Sequence, residues 1–174
     1  MTEQSRSTGP QPSSDPADPA GIEAVRSLVE GVARCLGIDE EVVADQRAEE
    51  LHVAVQGSDL GLLIGRHGQT LEALQHLAQR IALDHEVRLR VIVDAEGYRE
   101  RRREAIEAQV HRLVARALQR DEPTPLEPMT SSERRYVHEM VRDIDGVGSY
   151  SEGVEPDRHA VIAPSDKVPD GASQ

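Results

Sequence analysis

Two clusters in this chain have the residue types and spacing to hold a phosphodiester. The first is Gly65-Arg66-His67-Gly68, between a short apolar segment and a longer helical one. A turn that tight needs positive φ, which glycine adopts without steric cost. Two glycines also bare the backbone, so that N–H groups can approach a phosphate. The helix that follows points its unpaired N–H groups and positive dipole end at the same spot. Arg66 and His67 stand at the tip. Leu62, Leu63 and Ile64 before them offer an apolar wall for bases. Taken alone, the same four residues also fit a plain helix–helix turn.

The second cluster is Arg134 and His138, four residues apart and therefore on one helix face. With Arg134 at zero on a helical wheel, His138 falls at about 40°, Arg142 at about 80° and Arg135 at about 100°. The apolar Val137, Met140, Val141 and Ile144 fill the arc beside Arg134, from about 240° to 340°. Cationic or titratable groups thus line the edge of a buried stripe, where side chains are held more rigidly than on an open surface. Arg158 in a later loop is a further candidate. A solvated helix edge would look the same. Arg99, Arg101, Arg102 and Arg103 alternate with acidic residues at a helix start, where they oppose the dipole. They read either as surface charge or as phosphate contacts.

The elements that must carry these clusters are legible from periodicity. A helix over Ile22–Leu36 is closed by Gly37, with Cys35 expected on its buried side. Glu41–Gln46 reads as a short strand. Leu51, Val53 and Val55 alternate as another strand, and Leu60–Ile64 is a short apolar segment. A helix over Thr70–Leu83 presents Leu71, Leu74, Leu77, Ala78 and Ile81. Val87, Leu89, Val91 and Val93 alternate as a third strand. A second unit opens with a long helix from Tyr98 to about Arg120, whose stripe includes Ile106, Val110, Leu113, Val114, Ala117 and Leu118. Pro123, Pro125 and Pro128 mark an extended connection. Thr130-Ser131-Ser132-Glu133 has capping-box spacing for a helix to about Ile144, and strands near Val147–Ser151 and His159–Ala163 complete the unit. The expected architecture is α+β: a polar tail 1–20, a first unit 21–94, a second unit 95–163 and a polar tail 164–174.

Composition narrows the function classes. The 174 residues carry a net charge of −12, no Phe or Trp, three Tyr and one Cys. Aliphatic cores follow, and the aromatic platform on which many single-strand binders stack their bases is removed, so that any nucleic acid is expected to be held by backbone and aliphatic contacts. The acidic balance predicts weak non-specific affinity for polyanions. Even so, residues 95–163 hold 11 of the 20 basic residues, and all basic residues but Lys167 are Arg. A lone thiol fits a reducing compartment. The N-terminus has no apolar run after a basic stretch, and no window reaches the ~18 apolar residues that a membrane span requires. A cytoplasmic protein without membrane insertion is expected. An enzyme using His138 as general base lacks a companion carboxylate cluster or metal-ligand spacing, so no catalytic residue, metal or cofactor is assigned.

Five blocks in order carry a family resemblance. They are the stretch from Gly61 to Gln75, Asp94-Ala-Glu-Gly-Tyr-Arg-Glu-Arg-Arg, Leu126-Glu-Pro-Met, Glu133-Arg-Arg-Tyr-Val-His and Tyr150-Ser-Glu-Gly-Val-Glu-Pro. Together they resemble the bacterial Jag family, whose members are also called KhpB, EloR or SpoIIIJ-associated proteins. The resemblance spans about residues 22–163. It implies a type II KH domain followed by a small α+β R-three-H domain, so named for its Arg-x-x-x-His signature. A KH loop clamps about four nucleotides by their backbone, and that role aligns with Gly65–Gly68. The signature aligns with Arg134 and His138. The residues expected to contact nucleic acid are Ile64, Gly65, Arg66, His67, Gly68, Arg134, Arg135, His138, Arg142 and Arg158. The resemblance further implies single-stranded RNA, or single-stranded DNA, as ligand, and post-transcriptional regulation linked to cell elongation and cell shape. It also implies a second small KH-domain protein as partner. The competing reading is a protein–protein scaffold with little direct RNA contact. Many members carry a further N-terminal domain, where this sequence has the polar stretch 1–20.

Overall fold

The computed structural model describes residues 18–169. Helix α1 (Pro19–Cys35) starts where Asp18 accepts a hydrogen bond from the Ala20 N–H at 3.1 Å and Pro19 takes the first turn, whose N–H groups have no helical partner anyway. Strands β1 (Glu41–Arg47) and β2 (Glu50–Gln56) pair antiparallel. Helix α2 (Gly61–Ile64), a 3-10 turn at Arg66–Gly68 and helix α3 (Gln69–Asp84) cross over to β3 (Arg90–Ala95), which pairs parallel to β2. Val25, Val29 and Ala33 of α1 pack with Leu51, Val53 and Val55, the inward face of the β2 alternation, and with Leu71, Leu74, Ala78 and Ala82 of α3.

The outer edge of β3 is closed by side chains. Gln79 accepts from the Val91 N–H at 2.8 Å and donates to the Leu89 carbonyl at 3.0 Å. Gln75 accepts from the Val93 N–H at 3.2 Å, and Arg99 donates to the Val93 carbonyl at 2.8 Å.

The second unit begins with α4 (Tyr98–Arg120). Strands β4 (Thr124–Pro128), β5 (Val147–Glu152) and β6 (His159–Pro164) form an antiparallel sheet in the order β4-β6-β5, with α5 (Ser131–Arg142) and α4 against it. Its core joins Ile106, Val110 and Ala117 of α4 to Leu126, Met129, Val137, Val141, Val147 and Ile162. The expected α+β class holds.

Several details differ from expectation. Cys35 is exposed, because the buried line of α1 runs through Gly21, Val25, Val29 and Ala33, which turns Cys35 to the far side. Leu77 and Leu118 are also exposed, since smaller alanines (Ala78, Ala117) take the inward positions beside them. The proline-marked stretch is the edge strand β4, with Pro125 and Pro128 at a register irregularity, where missing N–H groups do the least harm. Val87 is buried ahead of β3 rather than within it. Residues 1–17 and 170–174, most of the expected tails, lie outside the described residues. The structure instead starts α1 at Pro19, ends β6 at Pro164 and places a 3-10 turn at Ser165–Lys167. Behind that turn Val168 closes over Gly148, where an added Cβ would stand 2.7 Å from Val168 Cγ2.

Candidate nucleic-acid interface

The short helix α2 presents its leucines in opposite senses. Leu63 is fully buried and anchors the helix, so it is no part of a groove wall. Leu62 is 67% exposed and Ile64 is half-buried. Beyond them Gly65 takes φ 72°, ψ −177°, a region open essentially to glycine alone. A Cβ there would meet Thr70 Oγ1 at 2.0 Å. Gly68 takes φ 81°, and a Cβ on it would meet the Tyr98 ring at 2.9 Å. Both glycines are thus required twice, by backbone conformation and by close approach. His67 between them is held at φ 53°, an unusual conformation for a residue with a side chain.

The loop's own hydrogen bonds run from Gly65 N to the Gly61 carbonyl (2.8 Å), from Gly68 N to the Gly65 carbonyl (3.3 Å) and from Gln69 N to the Arg66 carbonyl. Among the described residues no acceptor takes the N–H of Arg66 or His67. Gly68 is buried under Tyr98, so the open part of the turn is Gly65–His67 and not the whole of it. Arg66 reaches across to Asp157 in the β5–β6 loop at 2.9 Å. Both partners are well exposed, so the pair contributes at most about 1 kcal/mol and a phosphate can displace it.

Helix α5 is opened by the capping box that its sequence announced. Thr130 Oγ1 accepts from the Glu133 N–H at 3.4 Å and Glu133 accepts from the Thr130 N–H at 2.9 Å. The helix then brings Arg134, Arg135, His138 and Arg142 to one cavity of about 720 Å3, with Ser149 and Ser151 of β5 and Arg158 on the opposite wall. All five residues expected at this second cluster are therefore gathered.

Their roles differ. Arg134 has a side chain only 10% exposed; it donates to the Met129 carbonyl at 2.8 Å and pairs with Glu155 at 2.8 Å. It faces inward and clasps the β5–β6 loop to the start of α5. Arg135 is 82% exposed and pairs loosely with Glu139, while Arg142 makes no ion pair among the described residues. His138 is half-buried, with Nδ1 2.8 Å from Ser149 Oγ and Nε2 3.0 Å from Ser151 Oγ. A neutral imidazole donates through one nitrogen and accepts through the other, so the ring sets the direction of both hydroxyls. Burial, and then the charge of Arg134, push its pKa below the ordinary histidine value.

That shift has a sign that can be measured. The folded chain resists protonation of His138, whereas the unfolded chain takes the proton near pH ~6.5. Stability from this group is therefore complete above that value and drains away as the pH falls through the lowered folded pKa. Between about pH 7 and pH 5 the parent should lose more stability than His138→Gln, as read from urea midpoints. Parallel curves would mean that the histidine is not held neutral.

Sequence reasoning missed several participants. Ser149 and Ser151 share one face of β5 at strand spacing, a signal that was present. Glu155 and Asp157 engage Arg134 and Arg66 from one loop, across distances no local pattern reveals. The helix-opening arginines of α4 turn out to be largely committed within the fold: Arg99 to Gln75 and β3, Arg101 to the Glu96 carbonyl, and Arg102 to Glu133 at 2.8 Å.

The sheet with its glycine-bounded crossover, and the helix-borne cavity after it, define a two-unit α+β protein whose halves match two known domain families. Residues 22–93 match the family described as KhpA/KhpB, KH domain, and residues 103–164 match the R-three-H domain. RNA-binding protein KhpB of Clostridium symbiosum is 34% identical over 132 residues, covering 74% of this chain and 58% of that protein. Its counterpart in Streptococcus pneumoniae strain D39 is 30% identical over 139 residues, 79% of this chain and 42% of that one. The counterpart in Bacillus subtilis is 30% identical over 145 residues, 82% of this chain and 70% of that one. The chain belongs to the KhpB family, the Jag family of the sequence resemblance. It spans 58% and 42% of the lengths of the first two of these relatives.

Proposed function

We propose that this chain binds single-stranded RNA, with Gly65–His67 gripping the backbone and the α5 cavity holding adjacent phosphates. The observation that carries this reading is the pair of unpartnered N–H groups at Arg66 and His67, fixed in place by glycines that admit no substituent. The cavity of the second domain adds the cations Arg135, Arg142 and Arg158. The relatives are named as RNA-binding proteins, which points the same way. We read the chain as a binder and not an enzyme, in line with those names. A cytoplasmic role in post-transcriptional regulation, a second small KH-domain protein as partner and a link to cell elongation extend this proposal on the strength of the resemblance. Among the described residues no helix is long and apolar enough to cross a membrane.

A salt titration tests the reading. Labelled single-stranded RNA is followed by fluorescence anisotropy, with duplex RNA and DNA of the same sequence as comparators. Three or four phosphate contacts give a log–log slope of about −2 to −3, at ~0.7 per contact for single strands. The single strand should bind tighter than the duplex. A chain that shows no saturable binding at low salt, or no slope, acts as a protein scaffold instead.

A further inference from the structure

The two units meet over a cavity that lies outside the α5 cluster and shares only His67 and Gly68 with the glycine loop. It encloses about 380 Å3 between His67, Gly68 and Leu71 on one side and Tyr98, Arg103 and Tyr136 on the other. In a chain with three tyrosines and no Phe or Trp, two of the three aromatic rings stand in this one place. The Arg103 guanidinium lies 4.9 Å from the centre of the Tyr136 ring, and its Nε is 3.2 Å from the Tyr136 hydroxyl. That hydroxyl in turn donates to Glu107. Ring and guanidinium are therefore held side by side by Glu107, which also pairs with Arg103 at 3.2 Å. Guanidinium planes and aromatic faces are the two surfaces on which proteins lay unstacked bases.

The remaining walls suit a base edge. The Tyr98 hydroxyl has no hydrogen-bond partner among the described residues and, as a phenol, is a donor at neutral pH. The Thr130 and Ser132 hydroxyls bond each other at 2.9 Å, Ser132 donates to Glu72, and Arg102 is fixed by Glu133, which leaves the Tyr98 hydroxyl as the open donor of the wall. The volume falls near the lower limit of small-molecule sites, ~300–1,000 Å3, room for one nucleoside and not for a peptide helix. His67 belongs both to the loop tip and to the cavity wall, so a strand leaving the loop passes its mouth.

We propose that this junction cavity is a nucleoside site: one base of the strand gripped at Gly65–His67 turns out past His67 and stacks on the Arg103–Tyr136 pair, its edge toward the Tyr98 hydroxyl. The proposal rests on the RNA-binding reading above and deepens it, because it makes the seam between the two domains part of the binding track.

The test pairs an abasic scan with a mutation. An oligouridine of about eight nucleotides, twice the ~4 that a KH loop clamps, is made with its base removed at each position in turn. Each version is titrated against the full chain at fixed salt. In the parent one position should stand out, its loss costing about fivefold in affinity, as expected for one stacked base. Tyr136→Leu should weaken the intact strand by a similar factor and erase the extra cost at that position. Arg103→Leu, on an exposed part of α4, repeats the cycle if the first variant melts early. Should the parent bind the intact strand while no position is masked by either substitution, the cavity holds no base and the RNA-binding reading stands. Failure of the parent to bind the intact strand overturns both.

Discussion

The double substitution Arg66→Asp with His67→Asp should weaken binding to single-stranded RNA tenfold or more, about 1.4 kcal/mol. The turn keeps its shape, since Asp tolerates the left-handed backbone at position 67 better than most residues do. Its glycines still meet Thr70 and Tyr98. What changes is the charge at the open tip. Two carboxylates stand where a phosphate would approach, and one of them faces Asp157, the present partner of Arg66. The measurement is anisotropy at fixed salt, with a thermal melt to establish that the variant folds. A folded variant with parental affinity would place the strand elsewhere on the surface.

Arg134→Ala should act on a different link of the chain. Met129 is fully buried, and Arg134 donates to its carbonyl. Removing the donor leaves a buried acceptor unmatched, at a cost of about 1–3 kcal/mol. The pair with Glu155 adds little, because that carboxylate is 57% exposed. We expect a stability loss of about 2 kcal/mol by urea denaturation, with the β5–β6 loop released from α5. Arg135→Ala, on the exposed side of the same helix, should cost under about 0.5 kcal/mol of stability and register in RNA affinity instead. The opposite pattern, a stable Arg134→Ala that no longer binds, would make the signature arginine a direct contact.

Much of this architecture is local and therefore readable. The alternation of Leu51, Val53 and Val55, the capping box at Thr130 and Glu133, and the approach of Thr70 to Gly65 each show in residues a few positions apart. What cannot be read is set by packing between distant segments. Spacing from Val32 points Cys35 inward, but the phase of α1 is fixed by what Gly21, Val25 and Ala33 touch. Arg134 has the pattern of a surface cation until the β5–β6 loop brings Glu155 against it. The burial of Gly68 depends on Tyr98, and the link between Glu72 and Ser132 spans 60 residues. The Arg134–Glu155 and Arg66–Asp157 pairs mark the same limit, since neither leaves a trace in spacing.

Strand β3 carries Val91-Ile92-Val93, a β-branched run of the kind that recruits further chains when its edge lies open. Here the glutamine amides of α3 and one guanidinium occupy that edge from within the same molecule. Aggregation through this run therefore requires α3 to swing away first. Gln75 and Gln79 thus withhold the run from pairing with a second molecule for as long as α3 stays docked.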